Sequence, residues 1–176
     1  MNMNIPPAIG ELWKSQGGVY AGVIRGEIGK LDYHLIIPTQ WSLVNKISAY
    51  GGYDIDEPKA ASRFDGLANT RYLINSAQGN HPAARLCAGL VLESHNDFYL
   101  PSINELALCM ANVPDLFEKK WHLSSSQLSA THALALSFDG GSQIGLDKFL
   151  ELQVRPVRKY TLDYLFSEKI QGEKLV

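Results

Sequence analysis

Apolar residues fall into alternating runs at two places early in the chain. Gly17-Gly18-Val19-Tyr20-Ala21-Gly22-Val23-Ile24-Arg25-Gly26 and Leu31-Asp32-Tyr33-His34-Leu35-Ile36-Ile37-Pro38 flank the turn Glu27-Ile28-Gly29-Lys30. Two β-rich runs around a glycine-bearing turn predict a hairpin, with strands over 18–25 and 32–37. The glycines before the first run lack the Gly-Lys-Ser/Thr ending and the following helix of a phosphate-binding loop. Residues 38–66 keep neither a period of 2 nor one of 3.6, which predicts a long loop with one irregular strand near 47–50.

At Asp65 the pattern changes, with apolar residues three and four apart predicting a helix of two to three turns. Asp65 is placed to cap it and Gly79-Asn80 to stop it. A second short helix fits 82–88, with Pro82 at its first position and Gly89 past its end. Ser102 and Glu105 have the spacing of a capping box, in which each side chain meets an orphan backbone donor of the other. Leu106, Cys109, Met110 and Val113 then share one helical face. The last third holds short strand candidates at 122–126, 133–138, 142–146 and 153–157, with a tight turn at Asp139-Gly140-Gly141. This order predicts an α+β domain, two main helices packed on small antiparallel sheets with long loops. The domain is expected over 17–159, after an N-terminal extension (1–16) and before a C-terminal tail (160–176).

Composition narrows the function classes. Hydrophobic residues make up 45% and charged residues 19%, enough to bury a core. A net charge of −2 gives no broad cationic field for a polyphosphate backbone, so nucleic acid is not expected as a partner. No apolar run reaches the roughly 18 residues of a spanning helix, and MNMNIPPAIG has no basic or apolar leader region, so neither membrane insertion nor export by a visible signal is expected. Cys87 and Cys109 sit in apolar stretches and are expected as buried free thiols. With no Cys-x-x-Cys and no histidine cluster, neither a structural zinc nor another cofactor is expected.

Four motifs follow in order: Phe98-Tyr99-Leu100-Pro101-Ser102-x-x-Glu105-Leu106, Trp121-His122-Leu123-Ser124-Ser125-Ser126-Gln127, Gly140-Gly141-x-Gln143 and Val154-Arg155-Pro156-Val157-Arg158. The series resembles the family named for the C-terminal domain of a collagen-like adhesin (Lcl C-terminal-domain-like), whose motifs run W-x-L-P-S/T-x-x-E-L, Y-W-S-S-T and V-R-P-V-R. Upstream, the 17–26 run, Asp65-Gly66-Leu67-Ala68-Asn69-Thr70 and His81-Pro82-Ala83-Ala84 look like a version common in tailed-phage and prophage proteins. The resemblance implies a C-type-lectin-like fold over roughly 17–159, displaying a ligand surface on its C-terminal strands and loops. In diversified relatives the varied residues lie between the second motif and V-R-P-V-R, here 127–153. The implied binding positions are Gln127, Leu128, Thr131, His132, Ser142, Gln143, Lys148 and Phe149.

The implied role is a non-enzymatic receptor-binding (adhesin) module of a phage or prophage tail, made in the host bacterial cytoplasm. Its partner would be a host surface receptor, protein or glycan, or other tail proteins, and a homotrimer is compatible with that role. The alternatives are a structural or assembly protein of the tail fibre and an intracellular phage effector binding a host protein. The chain departs from the family by moving the indole to Trp121 and by placing Leu128, Leu134 and Leu136 where relatives often carry Tyr or Trp. Because aromatic anchors dominate recognition energy, this favours a weaker, fixed or protein-directed contact.

Single residues carry rival roles. Arg155 and Arg158 are expected to pair with carboxylates such as Glu105 or Asp97, the alternative being bidentate anion binding. Trp121 is expected in the core, the alternative being stacking on a sugar or receptor residue. His122 and His132 are expected to be exposed or hydrogen-bonded, since no triad spacing is recognisable. Asp54, Asp56 and Glu57 are expected in a solvated acidic loop, the alternative being a calcium site. The same broad fold houses formylglycine-generating enzymes with a reactive cysteine pair late in the chain. Cys87 and Cys109 precede that region and lack thiol-activating neighbours.

Overall fold

Nine strands and three helices form along residues 5–27, 29–40 and 45–161, which the structure, a computed structural model, describes. Before the helices come β1 (Leu12–Trp13), β2 (Gly18–Ile24), β3 (Tyr33–Ile37) and β4 (Lys46–Ala49). The helices are α1 (Gly66–Asn75), α2 (Pro82–Ala88) and α3 (Ile103–Asn112). After them run β5 (Trp121–Gln127), β6 (His132–Ser137), β7 (Gln143–Asp147), β8 (Glu151–Val154) and β9 (Arg158–Thr161). The predicted α+β class is the observed one.

The predicted hairpin is β2–β3, antiparallel from Val19↔Ile37 to Ile24↔Tyr33 with an irregularity between Tyr20 and Gly22. It is the middle of a four-stranded sheet in the order β1-β2-β3-β9. Both flanks differ from expectation. Leu12–Trp13 pairs with β2 from within the expected extension. The single strand expected at 153–157 is two: β8 joins the second sheet, and β9 pairs with β3 from Ile36↔Arg158 to Tyr33↔Thr161. Between them the chain changes sheets through Arg155-Pro156-Val157, where proline has no amide to donate to a ladder.

The second sheet runs β4-β8-β5-β6-β7. It is not wholly antiparallel, since β5 and β8 meet in parallel at His122↔Gln153. The β5–β6 ladder is interrupted between Leu123 and Gln127, where the Ser124 side chain spans to β6 and the other two buried serines bond to loops. Ser124 Oγ donates to Leu134 O at 2.6 Å, Ser126 Oγ to Ser62 O at 2.8 Å, and Ser125 N to Pro101 O at 2.7 Å. Buried hydroxyls and amides need such partners. The serine run therefore fastens two loops to the sheet.

Helix starts follow the sequence signals. Asp65 Oδ1 accepts from Ala68 N at 3.0 Å at the start of α1. Ser102 and Glu105 complete the capping box of α3. Glu105 does more than cap: buried, it also accepts from the Tyr33 and Tyr99 hydroxyls, each at 2.6 Å. A side chain at Gly66 would place Cβ 2.3 Å from Glu105 Oε2, which is why a glycine opens α1 there. The helix stops at Ser76, earlier than Gly79.

Two apolar clusters sandwich the second sheet. Leu134, Leu136 and Phe138 join Ile103, Leu106, Cys109 and Leu35 between α3 and the first sheet. Leu123, Ala133 and Val154 join Leu73, Ala83, Cys87 and Leu100 beside α1 and α2. Cys87 and Cys109 are buried free thiols, as expected. Trp121 is only half-buried at the start of β5. Among the described residues the buried indole is Trp13, edge-on to Tyr20 at 5.5 Å and Tyr160 at 5.6 Å. Tyr160 opens the expected tail yet lies in β9, and 162–176 fall outside the described residues.

Of the two arginines, Arg158 pairs with Asp97 as expected and also donates to Gln16 Oε1 at 2.6 Å. Arg155 does not reach Glu105, whose oxygens are already supplied by two tyrosines and the Ser102 amide. Its guanidinium instead donates to Pro38 O and Asn45 Oδ1, each at 2.7 Å.

Candidate functional site

The strand register divides the eight candidate positions. His132 stands opposite Asp147, and Lys148 N donates to Thr131 O at 2.9 Å. Leu128, Thr131, His132, Lys148 and Phe149 therefore gather at one end of the second sheet, next to Gln127 at the end of β5. Ser142 and Gln143 lie at the opposite end of β7, four residues and roughly 13 Å away at the rise of a strand. Both are exposed, and they do not belong to the same patch.

Gln127 and Lys148 are not surface positions. The Lys148 side chain is 0% exposed, and its ammonium donates to Gln127 Oε1 at 2.6 Å and Ile55 O at 2.7 Å. It also lies 5.4 Å from the centre of the Tyr50 ring. A buried charge needs this kind of company. Gln127 passes the connection on, with Nε2 donating to Asp56 Oδ1 at 2.7 Å and Oε1 accepting from Glu57 N at 2.8 Å. Burial lowers the Lys148 ammonium to a pKa of about 8, against the opposing pull of Glu57 and Asp56.

The expected solvated acidic loop holds at Asp54 and Asp56, which are exposed, and fails at Glu57, which is buried and accepts from Ser76 Oγ and from His81 Nε2, the latter at 3.2 Å. The other ring nitrogen of His81 faces Tyr50 O at 3.3 Å. Burial pushes the Glu57 carboxyl up, and hydrogen bonds from Ser76, His81 and Tyr72 outweigh it and hold the group below the usual range. Among the described residues no three His, Cys, Asp or Glu are grouped to hold a metal. The segment from Tyr50 to Glu57 is therefore bolted to the sheet by polar side chains from β5, the loop after β7 and the start of α2.

Above this base, apolar side chains face outward. Leu128 is 55% exposed and Phe149 57% exposed. The Phe149 ring lies 5.1 Å from that of Tyr53, itself 48% exposed. Sequence reasoning missed Tyr53; the available signal was an aromatic residue just after Gly51-Gly52 in a polar stretch. Leu128 folds back over β7, where a Cβ at Gly145 would stand 2.4 Å from Leu128 Cδ2.

A polar rim adjoins Leu128. His132 Nδ1 is 2.8 Å from Thr131 Oγ1 and 3.5 Å from Ser129 Oγ, and Nε2 is 3.4 Å from Asp147 Oδ1. Hydroxyl, imidazole and carboxylate therefore do meet here, although their spacing in sequence is no recognised triad. Ser129 Oγ accepts from the amides of Thr131 and His132 at 3.3 and 3.1 Å, which commits it to holding the turn. The other histidine, His122, is buried edge-on against the stacked Phe117 and Phe138 rings and donates from Nδ1 to Lys120 O at 3.1 Å. Burial depresses its pKa to about 4, so the ring is neutral at pH 7.

No helix among the described residues is long and apolar enough to cross a membrane. No protein-family model matches the chain, and no match is found among curated proteins.

Proposed function

We propose that this chain is a receptor-binding module of a phage or prophage tail, with a C-type-lectin-like arrangement, and that its contact face is the end of the second sheet bearing Tyr53, Leu128, His132 and Phe149. The order of the four motifs supports the family assignment. Support for the contact face comes from exposed apolar and aromatic side chains on loop tips, seated on the buried Lys148, Gln127 and Glu57 network. Loops fixed in advance lose little freedom on binding, so more of the contact energy appears as affinity. Thr131, His132 and Asp147 supply the polar rim that surrounds a typical binding centre. The partner is a surface receptor of the host bacterium, protein or glycan, and the site of action is the virion tail.

The decisive experiment measures binding of the purified chain to host cells, with Leu128→Asp and Phe149→Ala as variants. Loss of cell binding in folded variants supports the proposal, and binding equal to that of the unaltered chain overturns it.

One observation favours the second reading, a structural or assembly protein of the tail fibre. Strand β7 lies at the edge of its sheet with Ile144 exposed, and an unpaired strand edge is a template for a neighbouring chain. Copurification separates the two, because a protein absent from finished particles is not their receptor reader.

A further inference from the structure

On the first sheet, away from the contact face, the β2–β3 turn, the segment before α1 and the last strand enclose a cavity of about 330 Å³. That volume lies at the lower end of the range for small-ligand pockets. One wall is Tyr33, fixed by its hydroxyl, which donates to Phe64 O at 2.9 Å and Glu105 Oε1 at 2.6 Å. Phe64 lines the cavity and is exposed.

The charges around this cavity do not cancel. Lys30 and Lys159 converge on one carboxylate, Asp65, at 3.0 and 3.3 Å. Lys30 also pairs with Glu27 at 3.1 Å, and Lys159 stands 5.0 Å from the centre of the Tyr33 ring. Arg25 makes three cations against two carboxylates, leaving one positive charge in a lining that belongs to a chain of net charge −2. Asp32, outside the lining, accepts from Gly26 N at 2.8 Å and forms no ion pair with Arg25. Among the described residues the exposed Arg25 guanidinium has no ion pair or hydrogen bond, so the surplus charge resides there.

We propose that this cavity binds a singly charged sugar acid of the hexuronate class. Its carboxylate pairs with the fork of Arg25, the geometry for which guanidinium is suited. The carbon face of its ring lies against Phe64. Each sugar hydroxyl both donates and accepts, and the alternation of Lys30 and Lys159 with Glu27 and Asp65 offers partners of both kinds. The site is separate from the face on β5–β7 and does not depend on the receptor-binding proposal.

The test is an NMR titration of the full chain with glucuronate, beside glucose and acetate, each of which carries half of the recognised chemistry. Saturable shifts at the amides of Gly26, Gly29 and Lys30 are expected with glucuronate, with a Kd on the order of millimolar or tighter and at least about tenfold weaker binding of glucose and acetate. Arg25→Gln, at an exposed position without a partner, is expected to fold normally and to weaken glucuronate binding about tenfold or more. Leu128→Asp leaves that binding unchanged. The proposal is overturned by an absence of saturable shifts with glucuronate, by acetate or glucose binding as tightly, or by an Arg25→Gln variant with undiminished affinity.

Discussion

Lys148 and Gln127, twenty-one residues apart, meet inside the protein through a 2.6 Å hydrogen bond from ammonium to amide oxygen. The same ammonium reaches Ile55 O, so one side chain joins the loop after β7, the end of β5 and the segment that carries Tyr53. Removing it should loosen that segment. Lys148→Met is expected to cost about 1 to 3 kcal/mol, since it leaves buried acceptors short of a donor. Urea denaturation measures the loss, and faster proteolysis between Tyr50 and Glu57 reports its location.

The lowered pKa of Lys148 also fixes a pH dependence. The folded chain releases this proton near pH 8, whereas the unfolded chain holds it to about 10.5. Between those values the unfolded state binds more protons, so this group makes stability rise with pH. Stability curves of the unaltered chain and of Lys148→Met should diverge as pH rises from 8 toward 10.5, the unaltered chain gaining. Parallel curves would show that the lysine keeps its proton.

His122 works over the acid range. With the folded pKa near 4 and the ordinary value at 6.5, the unfolded chain takes up the proton first. Stability is therefore lost as pH falls from about 6.5 through 4. His122→Phe, which keeps a ring against the edge of the Phe117–Phe138 stack, should flatten this part of the stability profile, as followed by thermal melts at successive pH values.

Glu105 tests the centre of the fold. It accepts from two tyrosine hydroxyls and the Ser102 amide, and an amide in its place turns a donor toward a donor. Glu105→Gln should destabilise by about 2 to 4 kcal/mol, the range for breaking one side of a buried polar network, and equilibrium unfolding reads it directly.

Changes at the proposed contact face should behave oppositely. Leu128→Asp and Phe149→Ala are expected to alter stability by no more than about 0.5 kcal/mol, as exposed positions do, while lowering host-cell binding about tenfold or more if both are anchors. A parallel measurement of melting temperature and cell binding separates the two effects.

What was legible in the sequence was local. The capping box of Ser102 and Glu105, the Asp65 cap, the first hairpin and the turn at 139–141 all announce themselves within a few residues. Distant contacts were not. The stop of α1 follows no glycine; Ser76 takes an extended conformation and its hydroxyl bonds Glu57, nineteen residues earlier. Two-residue β1 is too short for any periodicity to reveal, and β9 is a strand because β3 lies beside it. Polar side chains default to the surface in any pattern reading. Gln127, Lys148 and Glu57 escape that default because their partners lie as far as 96 residues away.

The pairing of β9 with β3 carries a consequence for synthesis. Leu35, Ile36 and Ile37 are fully buried, yet the neighbour that closes the far side of their strand is made more than 120 residues later. Until the ribosome delivers Arg158–Thr161, a growing chain displays a greasy, hydrogen-bond-hungry ribbon. Nascent chains halted before that point should be clients of chaperones, and release into the finished state should coincide with the arrival of the last strand.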